Sequence, residues 1–231
     1  MKKLFFPIIV LFSFIQLTTA CAQDRSNPEN VIKSYFSETK KQNLSGLISF
    51  FAIDKYINNF NFKHYSQELG IITPTSQLLP EQYSIYQELN KYFRSSQVTN
   101  QVRVYLLTII SNNDDIHLPI TVNNGSTIDS FIQNINPQIL SSLKLLYIRN
   151  PTKKLDPVGI NEIFIKQARR IGAEDSSERV ALIQIENTTF MVPFRFIKYN
   201  NEWYIESLIS NFAGEFTGEM SESTFLSKFP E

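Results

Sequence analysis

The groups in this chain that could move protons or hold metal are few and scattered. Histidine occurs twice, as His64 and His117. Neither stands in an H-x-x-x-H spacing or beside an acid, so neither has the partners that a metal site or a general base needs. Asp114-Asp115 lacks the spaced oxygens, glycine and closing glutamate of an EF-hand loop and reads as a turn. Cys21 is the only cysteine, and it falls at a leader-processing site. The mature chain is therefore expected to carry no free thiol and no disulfide, which excludes thiol catalysis and cysteine–metal sites. No G-x-G-x-x-G, P-loop or G-x-S-x-G occurs, and seven glycines leave little room for one. No cofactor and no metal are expected. Tyr83, Tyr86 and Tyr92 could line a ligand or glycan site, but their helical spacing predicts core packing.

The leader carries the firmest functional signal. Met1-Lys2-Lys3 is a positive start, and Leu4 to Leu17 is an apolar run too short to span a bilayer. Ala20-Cys21-Ala22 offers an A-x-A site, which defines residues 1–22 as a signal peptide. Thr18-Thr19-Ala20-Cys21 resembles a bacterial lipobox, although Thr18 stands where Leu is usual; cleavage there removes residues 1–20 and leaves a lipidated Cys21. Both readings stay open, and both predict export to the periplasm or the extracellular space, with membrane contact only through a lipid on Cys21. The 22 basic and 22 acidic residues balance. Loss of Lys2 and Lys3 leaves 20 basic against 22 acidic, a net charge of −2. No basic stripe appears, so nucleic acid is not expected as a partner.

After a short polar tether, Ser26 or Asn27 caps a helix beginning with Pro28 and Glu29 and ending near Lys41, with Val31, Ile32, Tyr35 and Phe36 at helical spacing. A second helix runs from Leu44 to Phe51. The region from 54 to 98 reads as a helical insertion, aperiodic at first and then opened into a helix by Leu79-Pro80-Glu81. Val102 to Ile110 and Ile116 to Val122 are β-branched runs about the turn cluster Asn112 to Asp115, and predict a hairpin with Pro119 on an edge. Thr127 is the expected cap of the next helix. Pro137 interrupts that pattern, and Gln138 to Ile148 is read as resumed helix. The helix from Ile160 to Ile171 stops at Gly172, with Lys166, Arg169 and Arg170 as a solvated face. Residues 210–231 form a weakly patterned tail.

The stretch from Arg179 to Leu208 organises the rest. Asn187-Thr188 and Asn200-Asn201 divide it into three strands, and Asn tolerates the positive φ of hairpin turns. Two-residue loops place Ile185 opposite Phe190, Ile183 opposite Val192, Ala181 opposite Phe194, Phe196 opposite Ile205 and Lys198 opposite Trp203. One face is then apolar, from Ala181, Ile183 and Ile185 through Phe190, Val192, Phe194 and Phe196 to Trp203 and Ile205. The other is polar, from Gln184 and Glu186 through Thr189, Met191, Arg195 and Tyr204 to Glu206, with Arg195 opposite Glu206. Each large apolar side chain contributes about 1.5–3 kcal/mol when buried, so the apolar face decides the packing. Pro193 in the central strand demands either a bulge or an early end to the preceding strand.

Helix, helix, insertion, hairpin, helices and a closing meander follow in that order. With the passages Glu29 to Phe51 and Asn200 to Leu208, whose Asn-x-Trp-Tyr-Ile closes the sheet, the chain resembles the cystatin-like cone fold of nuclear-transport-factor-2-like and ketosteroid-isomerase-like proteins. The insertion and the helix from Asn161 to Ile171 depart from that compact pattern. The resemblance implies an α+β domain over 23–209, with N-terminal helices packed on a curved antiparallel sheet around a pocket. Here that pocket would be lined by Phe190, Phe194, Phe196, Trp203 and Ile205. Catalytic relatives place a carboxylate base and an acid donor on this face, which here bears no Asp, Glu or His. The expectation is a module that binds a small apolar ligand or a protein partner. Two alternatives stand beside it: an envelope enzyme with a base from between Asp54 and Tyr92, or a structural domain that forms a homodimer through its outer sheet face.

Overall fold

The computed structural model describes residues 23–111, 121–122, 124–155, 157–214 and 216–231. The leader with Cys21, the turn Asn112 to Asp115, His117, Pro119 and most of the run Ile116 to Val122 lie outside these. Helix α1 (Pro28–Lys40) starts as its sequence dictates: Asn27 accepts the Asn30 N–H at 2.8 Å and Pro28 supplies a fixed φ. Its stripe Val31, Ile32, Tyr35 and Phe36 is buried. Helix α2 (Leu44–Ser49) follows, capped by Asn43. Helices α3 (Ile53–Asn59) and α4 (Phe62–Leu69) occupy the aperiodic region.

The largest correction concerns α5 (Ser84–Ile110). The expected strand Val102–Ile110 is the second half of this 27-residue helix, about 40 Å long at 1.5 Å per residue. Its buried stripe runs Asn90, Arg94, Val98, Val102, Tyr105, Ile109. Two polar members hide that period from a reading of apolar spacing, while β-branched residues imitate a strand locally. Burial overrides propensity. The tyrosines correct in the other direction: Tyr83 and Tyr92 are exposed rather than packed in the core. Helix α6 (Gly125–Asn134) is capped by Asn124, not Thr127. The segment read as resumed helix is a 3-10 turn at Pro137–Ser142 followed by strand β1 (Lys144–Arg149).

Helix α7 (Pro157–Arg170) ends at Gly172 as expected. Strands β2 (Asp175–Ile185), β3 (Thr188–Tyr199) and β4 (Glu202–Ser207) complete an antiparallel sheet in the order β1-β2-β3-β4. The tail adds β5 (Gly218–Glu219), paired to Phe190 and Met191, and helix α8 (Glu222–Lys228).

The first turn falls at Glu186-Asn187, with Glu186 at φ 51, so the register slides by two. Ile183 faces Phe190, Ala181 faces Val192 and Arg179 faces Phe194. β-branched Thr188 disfavours the positive φ of a hairpin turn and starts the strand instead. A slide of two preserves the alternation of faces, so every expected inner residue stays inside. At the second turn Asn200 and Asn201 have φ 53 and 64, and Phe196–Ile205 and Lys198–Trp203 pair as expected. A bulge between Arg195 and Phe196 sets Arg195 opposite Ser207 rather than Glu206.

Pro193 resolves differently from both expectations. It pairs with Val180, so β2 does not end early, and the bulge comes two residues later. Counting outward from the closing Ile185–Thr188 pair, Val180–Pro193 is a non-hydrogen-bonded pair, and the ring nitrogen points away from β2. On that side β5 covers residues 190–191 and β4 begins at Arg195. Proline occupies the gap between the two ladders.

Helices α1, α2 and α5 pack on the inner face. The outer face is not an open polar surface. Ile197, Tyr199 and Tyr204 are buried with Tyr56, Ile57 and Ile171 at one end, and Val180, Leu182 and Met191 with Phe225 and Phe229 at the other. Among the described residues no helix is long and apolar enough to cross a membrane. Gly172 joins α7 to β2 at φ +66, where a Cβ would collide with the Asn59 carbonyl oxygen. Gly172→Ala is expected to cost about 1–3 kcal/mol in urea unfolding. Gly125→Ala, with nothing among the described residues within 4 Å of the new Cβ, should stay within about 0.5 kcal/mol of the parent.

Candidate functional site

The inner wall assembles as the alternation requires, and aromatic side chains fill the space in front of it. Phe194 and Phe196 are fully buried, as is Ile205, and Phe190 nearly so. Tyr35 and Phe36 of α1 each meet Phe194 edge-on with ring centroids 5.7 Å apart, and Tyr35 meets Phe50 at 6.0 Å. Edge-to-face pairs of this kind add about 0.5–1.5 kcal/mol each beyond area burial. The Tyr35 hydroxyl has no hydrogen-bond partner among the described residues. Burial first, and the Tyr105 hydroxyl second, push its pKa well above the ordinary tyrosine value, so it stays protonated. Tyr105 shares a 3.2 Å hydrogen bond with Thr39.

Of the five expected pocket residues, Trp203 alone is only partly buried, and it borders a surface cleft of about 650 Å³. The cleft opens where the first residues of β2 run past the end of β1, which pairs only as far as Val180. Leu155, Ile160 and Phe164 give it an apolar side, and Ser177 and Arg179 a polar one. Arg179 is held in place by Glu29, Nε to Oε1 at 2.6 Å, and by Ser177 Oγ at 2.6 Å. Partial burial opposes ionisation of Glu29, but the hydrogen bond and charge of Arg179 outweigh it and hold the carboxyl below its usual range. Two backbone groups along this stretch of β2 are already bonded. Asp175 Oδ1 accepts the Ser176 N–H at 2.8 Å, and Arg179 Nη1 donates to the Glu178 carbonyl at 2.7 Å. At the opposite edge of the sheet, Trp203 N donates to the Arg25 carbonyl at 2.9 Å and Ile205 N to that of Phe50 at 3.0 Å.

Beside the expected pair Arg195 and Glu206, the outer face carries charges that apolar patterning did not single out. Glu178 is fully buried and accepts from Arg195, from Ser210 and from the backbone N–H groups of Asn211 and Phe212. Arg195 reaches Glu206 across the bulge at 3.5 Å, and buried Arg94 donates 2.5 Å to the Glu206 carbonyl. The available signal was a charge at a core position of its element: Arg94 in the α5 stripe and Glu178 between Ser177 and Arg179. Arg170 is half-buried, with its Nε inside, and is not part of a wholly solvated face. His64 lies on α4, and no group of three or more metal-ligating side chains occurs among the described residues.

The filled interior makes the Tyr35 hydroxyl a cost rather than a tool. Tyr35→Phe is expected to raise stability by about 1 kcal/mol, whereas Tyr105→Phe, which strips a partner from Thr39, should lower it by a similar amount. Paired urea titrations check both signs.

No protein-family model matches the chain, and no curated protein matches it. Among solved structures, a cystatin-like protein from Ruminococcus gnavus ATCC 29149 superposes with a TM-score of 0.57 at 18% identity, over 84% of this chain and 44% of that one. This chain thus spans less than half the length of that structure, and at such identity the likeness concerns the fold. Helices packed on an open antiparallel sheet give this protein a cystatin-like, α+β cone architecture.

Proposed function

We propose that this protein is an exported, non-catalytic binding module that takes a small ligand with an apolar body and a polar edge in the cleft beside Trp203. The observation that carries this reading is the division of the inner sheet face. Its centre, at Phe194 and Phe196, is occupied by Tyr35 and Phe36. The end at Ser177, Arg179 and Trp203 opens into about 650 Å³, within the roughly 300–1,000 Å³ of small-molecule sites. An apolar flank with a few converging polar groups is the usual composition of such sites. The wall from Phe190 to Ile205 carries no carboxylate or imidazole, and of the carboxylates at the cleft end Asp175 accepts the Ser176 N–H and Glu29 is paired with Arg179, which favours binding over proton transfer. Export rests on the leader, with Lys2-Lys3 before an apolar run and the overlapping processing sites at Ala20-Cys21-Ala22.

Trp203 is the only tryptophan, so its fluorescence reports on the cleft alone. Titration with the neutral probe N-phenyl-1-naphthylamine should give a saturable change in Trp203 emission, lost in Ile160→Asp. A flat response in the parent protein removes the ligand-binding reading. Mass spectrometry of the chain expressed with its leader in a bacterial host should find either Gln23 or a lipidated Cys21 at the N-terminus. An intact Met1 would overturn export.

A further inference from the structure

A second cavity, of about 200 Å³, lies on the outer face of the sheet, walled by α3, α4, α7 and the strands beneath them. Arg170 and Arg195 line it together with Tyr56, Tyr65, Gln167 and Glu206. Arg94 lies against it, its Cζ 4.6 Å from the centre of the Tyr56 ring. Two of these three guanidiniums are balanced. Arg195 faces Glu178 at 3.4 Å and Glu206 at 3.5 Å, and Arg94 faces Glu206 at 3.8 Å. Arg170 is different. Its Nε is buried without a hydrogen-bond partner, and it pairs with no carboxylate among the described residues.

Three guanidiniums against two carboxylates leave one unit of positive charge around the cavity. A buried donor without a partner destabilises a fold, so the Arg170 Nε has value where something outside the chain completes it. We propose that the cavity binds a small monocarboxylate, held by the Arg170 fork with Gln167 and the two tyrosines around it. A guanidinium presents paired donors that match the two oxygens of a carboxylate. Tyr56 and Tyr65 are kept protonated by burial and can donate. One surplus charge, with Glu206 close by, favours a monoanion over a dianion. A volume of 200 Å³ equals about six or seven waters at ~30 Å³ each, which limits the ligand to roughly the size of benzoate or a small amino acid.

The test uses benzoate and the whole protein, with saturation-transfer NMR as readout. Benzoate should bind saturably, neutral benzamide should not, and Arg170→Gln should weaken benzoate by about tenfold or more. The variant should melt at or above the parent temperature, because it removes a buried Nε that has no partner. Equal binding by parent and variant overturns the proposal, as does no binding by the parent. Displacement of benzoate by an equal concentration of inorganic phosphate overturns the assignment to carboxylate. A melting point lower by about 5 °C or more marks Arg170 as a structural residue and also overturns it. The naphthylamine response at Trp203 should be unchanged in Arg170→Gln, so either site can fail without the other.

Discussion

The edge-on contact of Tyr35 and Phe36 with Phe194 is the constraint on which the architecture depends. These rings come from opposite ends of the chain, and all three are buried. Once α1 is set against β3, α2 and α5 fill the remaining inner surface through Phe50, Val102 and Tyr105. The sheet cannot flatten or slide by one residue without expelling an aromatic ring into water, at about 1.5–3 kcal/mol for each. A slide of two carries no such penalty on either face. The choice between such registers falls to the turn, and positive φ at Glu186 settles it.

Covering the outer face separates this chain from a sheet with one wet side. Apolar clusters close its two ends, and the ion network of Glu178, Arg195, Glu206 and Arg94 fills the middle. Buried charges contribute little net stability but penalise misplacement heavily. Here they specify where the chain after β4 must lie, since Glu178 accepts backbone N–H groups of Asn211 and Phe212. Specificity of chain path is bought with polar groups, while apolar burial supplies the driving force.

The strands of the meander were legible because alternation and paired asparagines agree, and α1 because its cap and stripe agree. The two-residue error at the first hairpin arose because Asn187 is a good turn residue on either side. Val102 to Ile110 misled for a physical reason: local β propensity pointed one way, and the stripe that buries Val102, Tyr105 and Ile109 pointed the other. Only the presence of the sheet decides between them. The five wall residues could be placed on one face from sequence, but which of them touch solvent depends on where α1 ends and β1 stops. Of the charged residues around Arg170, spacing brought only Arg195 and Glu206 together; Arg94 and Glu178 join them through packing of elements distant in sequence.

The pairing of Glu29 with Arg179, and of α1 with β3, joins segments some 150 residues apart. Contacts of such long range slow folding, because the entropy of closing the loop is lost before any burial is gained. Helix α1, made before β3, must therefore wait, its aromatic stripe unsheltered, until that strand arrives. A chain with this topology gains little from folding as it is made. It stays open until β3 has been made and the ring of aromatics can lock.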